Sequence, residues 1–86
     1  MLVYVRFPAD AQIEPADVEE AALGAIGRAG TVLGASNNSV DLELDDSGDT
    51  RLLLQALAAS LRRVGLSAAT VIDLPQSGQR FSIFDF

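Results

Sequence analysis

Residues 40–45 alternate without a break: Val40, Leu42 and Leu44 are apolar, and Asp41, Glu43 and Asp45 are acidic. A period of two puts the three apolar side chains on one face of a strand and the three carboxylates on the other. That pattern belongs to a sheet packed on one face and wet on the opposite one. Such a sheet needs a layer over its apolar face, and the rest of the chain has to supply it.

Residues 2–7 also read as a strand, rich in β-branched and aromatic side chains and stopped by Pro8. Val3, Val5 and Phe7 share one face; Leu2, Tyr4 and Arg6 share the other. A polar loop, residues 9–14, leads to Pro15, which suits a first helical turn with Asp17, Glu19 and Glu20 nearby. The spacing predicts a helix to about Ala29, with Val18, Ala22, Ala25, Ile26 and Ala29 as its buried stripe and Gly30 as its cap. Residues 31–36 and 40–45 form a hairpin through Ser36-Asn37-Asn38-Ser39, because Asn tolerates positive φ. Asp46-Ser47-Gly48-Asp49 is a turn, and Asp49 or Thr50 caps a second helix over residues 51–64. Leu53, Leu57, Leu61 and Val64 form the stripe of that helix, and Gly65 ends it with Leu66 placed for a Schellman contact. Residues 68–74 read as a fourth strand, Pro75-Gln76-Ser77-Gly78 as a turn, and residues 80–86 as a fifth strand.

Both helices end in the same way, at Arg28-Ala29-Gly30 and Arg63-Val64-Gly65, and a strand follows each. Two β-α-β halves with short connections favour an antiparallel sheet ordered 4-1-3-2 with both helices on one face. This α+β arrangement, β-α-β-β-α-β with an additional C-terminal strand, resembles the ferredoxin-like plait across nearly all of residues 1–86, a single domain. The resemblance is to a fold, and that fold hosts many unrelated functions.

Composition narrows the chemistry. The chain has no histidine and no cysteine, and its six basic residues are Arg6, Arg28, Arg51, Arg62, Arg63 and Arg80, so lysine is absent too. Imidazole bases, thiolates, disulfides and lysine Schiff bases are therefore excluded, and the serines have no base partner. No catalytic motif emerges and the chain reads as a non-enzyme with no cofactor. The glycines at 24, 27 and 30 lie late in a helix, unlike a dinucleotide loop. A calcium loop starting at Asp45 would place Thr50 where glycine is needed and Ala56 where a bidentate Glu is needed. The formal net charge of −6 repels phosphate backbones and anionic headgroups, so neither nucleic acid nor membrane is an expected partner. The first residues lack a basic signal-peptide segment, and no apolar run approaches a membrane span, so a cytoplasmic location is expected. Arginine to the exclusion of lysine, with many alanines and glycines, points to a GC-rich bacterial genome.

Two surfaces are candidates for function. Phe81, Phe84 and Phe86 crowd the last six positions with Ile83. Alternation places Arg80, Ser82, Phe84 and Phe86 on one face and Phe81, Ile83 and Asp85 on the other. This tail is expected either to hairpin onto the fourth strand or to meet a second copy, making the chain a self-associating protein-interaction domain. The open sheet face is the second candidate: Tyr4 and Arg6 project beside Asp41, Glu43 and Asp45, with Arg6 expected to pair across strands with those carboxylates. RNA-recognition domains share the plait and stack bases there, but three carboxylates oppose that use. Two other functions follow from these features. One is a small-ligand domain resembling the regulatory ACT type, its site at the loop from Pro8 to Glu14 and the start of the first helix, where Asp10, Glu14 and Asp17 oppose a carboxylate. The other is an acidic antitoxin- or inhibitor-like protein that meets a basic partner through Asp41, Glu43 and Asp45.

Overall fold

A computed structural model of the chain describes residues 1–8, 12–45 and 49–86. Its elements in order are β1 (Leu2–Arg6), α1 (Pro15–Ile26), a 3-10 turn (Gly27–Ala29), β2 (Gly30–Ala35), β3 (Ser39–Leu44), α2 (Thr50–Arg63), β4 (Val71–Leu74) and β5 (Gln79–Ser82). The strands form one sheet, β2-β3-β1-β4-β5, and every neighbouring pair is antiparallel. Two helices over a five-stranded antiparallel sheet are consistent with a ferredoxin-like plait. No helix among the described residues is long and apolar enough to cross a membrane. Residues 9–11, with Asp10 of the suggested ligand loop, and the expected turn residues Asp46, Ser47 and Gly48 lie outside the described residues.

The alternation in β1 and β3 sets the inner face. Val3 pairs with Leu42 and Val5 with Val40, while Ile72 faces Val5 from β4. These five are fully buried, and Phe7, Leu44 and Leu74 nearly so. Both helices cover that same face: Val18, Ala22 and Ile26 of α1 and Leu54, Leu57, Ala58 and Leu61 of α2 join one core cluster with the strands. The small Ala22 and Ala58 allow close packing, and the Ser60 hydroxyl donates to the Ala21 carbonyl at 2.8 Å across the helix pair. Burying each of the larger aliphatic side chains contributes about 1.5–3 kcal/mol, which is how so short a chain holds its shape.

Several boundaries differ from the sequence expectation, each for a local reason. Helix α1 stops at Gly27, whose φ of 53° lies in the left-handed region, and its N–H bonds the Leu23 carbonyl. Gly30, the expected cap, is instead extended and opens β2. The buried stripe of α1 lacks Ala25 and Ala29, which are half-buried. In α2 the stripe turns slightly, to Leu54, Leu57, Ala58 and Leu61, leaving Leu53 and Val64 half-buried. Its end does form the Schellman pair: Leu66 N–H donates to Leu61 O and Gly65 N–H to Arg62 O, with Gly65 at φ 102°. Between Val32 and Gly34 the pairing of β2 slips, so Leu33 is an unpaired bulge residue and more than half exposed. The Asn37–Asn38 hairpin turn forms without positive φ at either residue. It closes through Ser36 N–H on Ser39 O and the Ser36 hydroxyl on Asn38 Oδ1. Strand β4 starts at Val71 because residues 67–70 make a turn, with Thr70 N–H on Ser67 O.

Candidate functional site

Strand β5 pairs with β4 in register, Ile72 opposite Phe81 and Leu74 opposite Gln79, so the C-terminal strand belongs to its own chain's sheet. Alternation then sends Phe81 and Gln79 to the helix-covered face and Arg80 and Ser82 to the open face. The expected faces hold up to Ser82 and fail after it. The strand ends there because Ser82 and Asp85 close a turn: Asp85 N–H donates to Ser82 O at 2.9 Å, and Ser82 N–H donates to Asp85 Oδ2 at 2.7 Å. Phe86 is carried back onto Phe81, edge to face at 5.5 Å between ring centres. Phe84 and Phe86 therefore do not share a face: Phe86 is half-buried, whereas Phe84 is 56% exposed.

Ile83 anchors this turn. Its side chain is fully buried in the core, its N–H donates to Thr70 O, and Arg62 Nη1 donates to its carbonyl. The Arg62 guanidinium also lies over the Phe84 ring, 5.9 Å from its centre. Thr70 is buried with its hydroxyl unpartnered among the described residues.

A groove opens between the first half of α2 and the β4–β5 hairpin. It has a volume of about 710 Å³. Met1, Leu54, Leu74, Phe81 and Phe86 supply its apolar lining, and Thr50, Arg51, Gln55, Gln76, Ser77, Gln79 and Asp85 its polar rim. Four separate stretches of chain meet here. Sequence reasoning found only Phe81 and Phe86 among these residues. Leu54 lies outside the stripe expected for α2, and nothing local brings Met1, Arg51 and Gln76 to the same place.

On the open face, Tyr4 and Asp41 face each other across β1 and β3, and Leu2 faces Glu43. Arg6 does not pair with the β3 carboxylates. Its register neighbour in β3 is Ser39, and its guanidinium reaches Asp73 of β4 at 3.5 Å, while Arg80 of β5 reaches the same oxygen at 3.4 Å. Arg6 also sits over the Tyr4 ring at 5.5 Å. Asp41 accepts from the Ser39 hydroxyl at 2.9 Å. Glu43 is exposed on the strand, and Asp45 lies one residue beyond its end, with its N–H on Ala29 O. Asp73, shared by two arginines, is the residue that the sequence pattern missed. At the start of α1, Glu14 occupies the N-cap position without a side-chain cap bond, and Asp17 lies in the first turn.

Comparison with protein-family models, with curated proteins and with solved structures finds no significant match to this chain.

Proposed function

We propose that this chain is a non-catalytic binding domain and that the groove between α2 and the β4–β5 hairpin is its binding end. The observation that carries this reading is the groove itself, about 710 Å³ with five apolar side chains from separate segments. Small-ligand sites typically measure about 300–1,000 Å³ and combine an apolar lining with a few polar groups at the rim. The missing histidine, cysteine and lysine support binding over catalysis. The net charge of −6 supports a partner that is neither nucleic acid nor an anionic membrane. A ferredoxin-like arrangement of order 4-1-3-2 extended by β5 supports the location, since the added strand supplies Gln79 and Phe81 to the groove.

A thermal-shift screen of the full chain against small amphipathic molecules tests the reading. Binders are expected to raise the melting temperature, and Gln55→Trp, which fills the groove from α2, is expected to abolish the rise. A panel that stabilises neither protein, or both equally, would overturn the groove as the site.

A second reading, self-association, is favoured by Phe84, a large apolar ring 56% exposed. Light scattering is expected to give about twice the 9.0 kDa chain mass, and Phe84→Ser to return it to 9.0 kDa. Deleting the whole tail is the wrong test, because it removes the fully buried Ile83.

A further inference from the structure

We infer that the groove takes a small amphipathic monocarboxylate, its apolar body on Leu54, Leu74, Phe81 and Phe86 and its carboxylate on the donors of Arg51 and Gln76. This inference rests on the groove being the binding end and adds the chemistry of what enters it.

The rim decides that chemistry by what its polar groups have left over. Gln76 Oε1 accepts from the backbone N–H of Leu2 at 3.2 Å. A backbone N–H only donates, so this contact fixes the amide with its oxygen toward Leu2 and leaves its NH₂ group for another acceptor. The Ser77 hydroxyl lies 3.2 Å from Gln79 Oε1, a contact that does not fix the Gln79 amide, because a hydroxyl both donates and accepts. Ser77 itself lies 3.4 Å from the Leu74 carbonyl, so its hydroxyl hydrogen is already contested. Arg51 is exposed and makes no ion pair among the described residues. The rim carboxylate, Asp85, already receives the Ser82 N–H on Oδ2. Asp85 keeps further lone pairs, but the Arg51 guanidinium and the Gln76 NH₂ group are spare donors beside the apolar lining, and a ligand that matches them carries acceptors at one end.

A full negative charge on those acceptors suits Arg51 better than a neutral carbonyl, since charge-assisted bonds are about twice as strong as neutral ones. The chain's net charge opposes an anion at long range. At physiological salt that repulsion is screened within about 8 Å, while a bond to Arg51 is not.

The test titrates the full chain with octanoate, 1-octanol and octylammonium at physiological salt, read by backbone amide NMR shifts. Octanoate is expected to move the amides of Arg51, Gln55, Gln79 and Phe81 and to bind about tenfold more tightly than octanol, with octylammonium weakest. Arg51→Gln, at an exposed position, is expected to remove the preference for octanoate, so that octanoate and octanol bind alike. Octanol binding in the groove as tightly as octanoate, or a preference that survives Arg51→Gln, would overturn the carboxylate and leave the groove standing. No shift at the groove with any of the three would overturn both.

Discussion

Two glycines of this chain look alike in sequence and have opposite physical roles. Gly24 lies inside α1, and a Cβ built there meets nothing within 4 Å. Gly30 opens β2 in an extended conformation any residue adopts, yet a Cβ there would lie 2.7 Å from the Glu43 carbonyl oxygen and 2.7 Å from a Leu44 methyl. The first contact is to backbone in the neighbouring strand, so the sheet itself would have to move. Gly24→Ala is expected to stabilise the domain by about 0.5–1 kcal/mol, because helical glycine costs that much relative to alanine. Gly30→Ala is expected to destabilise by about 1–3 kcal/mol through overpacking at the β2–β3 pair. Chemical denaturation of the two variants beside the parent measures both, and equal effects would contradict the contact geometry.

The helix starts differ in a similar way at the level of the element. Asp49 caps α2 by accepting from the Leu52 N–H at 3.2 Å, whereas Glu14 at the start of α1 makes no such bond. Asp49→Ala is expected to cost about 0.5–2 kcal/mol, and Glu14→Ala less than about 0.5 kcal/mol, by shift of the denaturation midpoint. A larger loss at Glu14 would show that Pro15 is not sufficient to start α1. How far such elements were legible in the sequence depended on how local their causes are. Val3, Val5 and Phe7, and Val40, Leu42 and Leu44, declared the inner face by period alone. The Asp49 cap and the Gly65 end were legible because cap chemistry acts over a few residues. The stripe of α2 keeps the expected Leu57 and Leu61 but takes Leu54 in place of Leu53, since Leu52, Leu53 and Leu54 are consecutive and only the sheet chooses among them. The end of β5 was hidden because Ser82 and Asp85 turn the chain by side-chain bonding where alternation alone continues a strand. The groove was least legible of all: its donors Arg51 and Gln76 acquire meaning only once α2 and the hairpin stand opposite each other.

At the scale of the whole molecule the governing quantity is charge set against size. Twelve acidic and six basic residues share a body measuring 35 × 22 × 20 Å. At 0.01 M salt the Debye length is about 30 Å, so nearly every charge acts on every other and the excess of carboxylates repels itself. At 0.1 M it falls to about 10 Å, and only neighbours remain in view. Among the described residues Arg6 and Arg80 both lean on Asp73, and their side chains are 52% and 63% exposed. Exposed pairs of this kind contribute about 0.2–1 kcal/mol each, and salt screens them as well. Self-repulsion outweighs these pairs, because the two arginines share a single carboxylate while Asp41 and Glu43 have no arginine as a register neighbour. Raising sodium chloride from 0.01 to 0.1 M is therefore expected to stabilise the fold by up to about 1 kcal/mol, or about 4–8 °C in melting temperature. Asp73→Asn should sharpen the comparison. It removes one repelling charge and the partner of two arginines together, so its melting temperature is expected to fall by only a few degrees. A parent protein that melts lower as salt rises would mean that the Arg6–Asp73–Arg80 cluster outweighs the acidic excess, and that attraction, not repulsion, sets the electrostatics of this sheet.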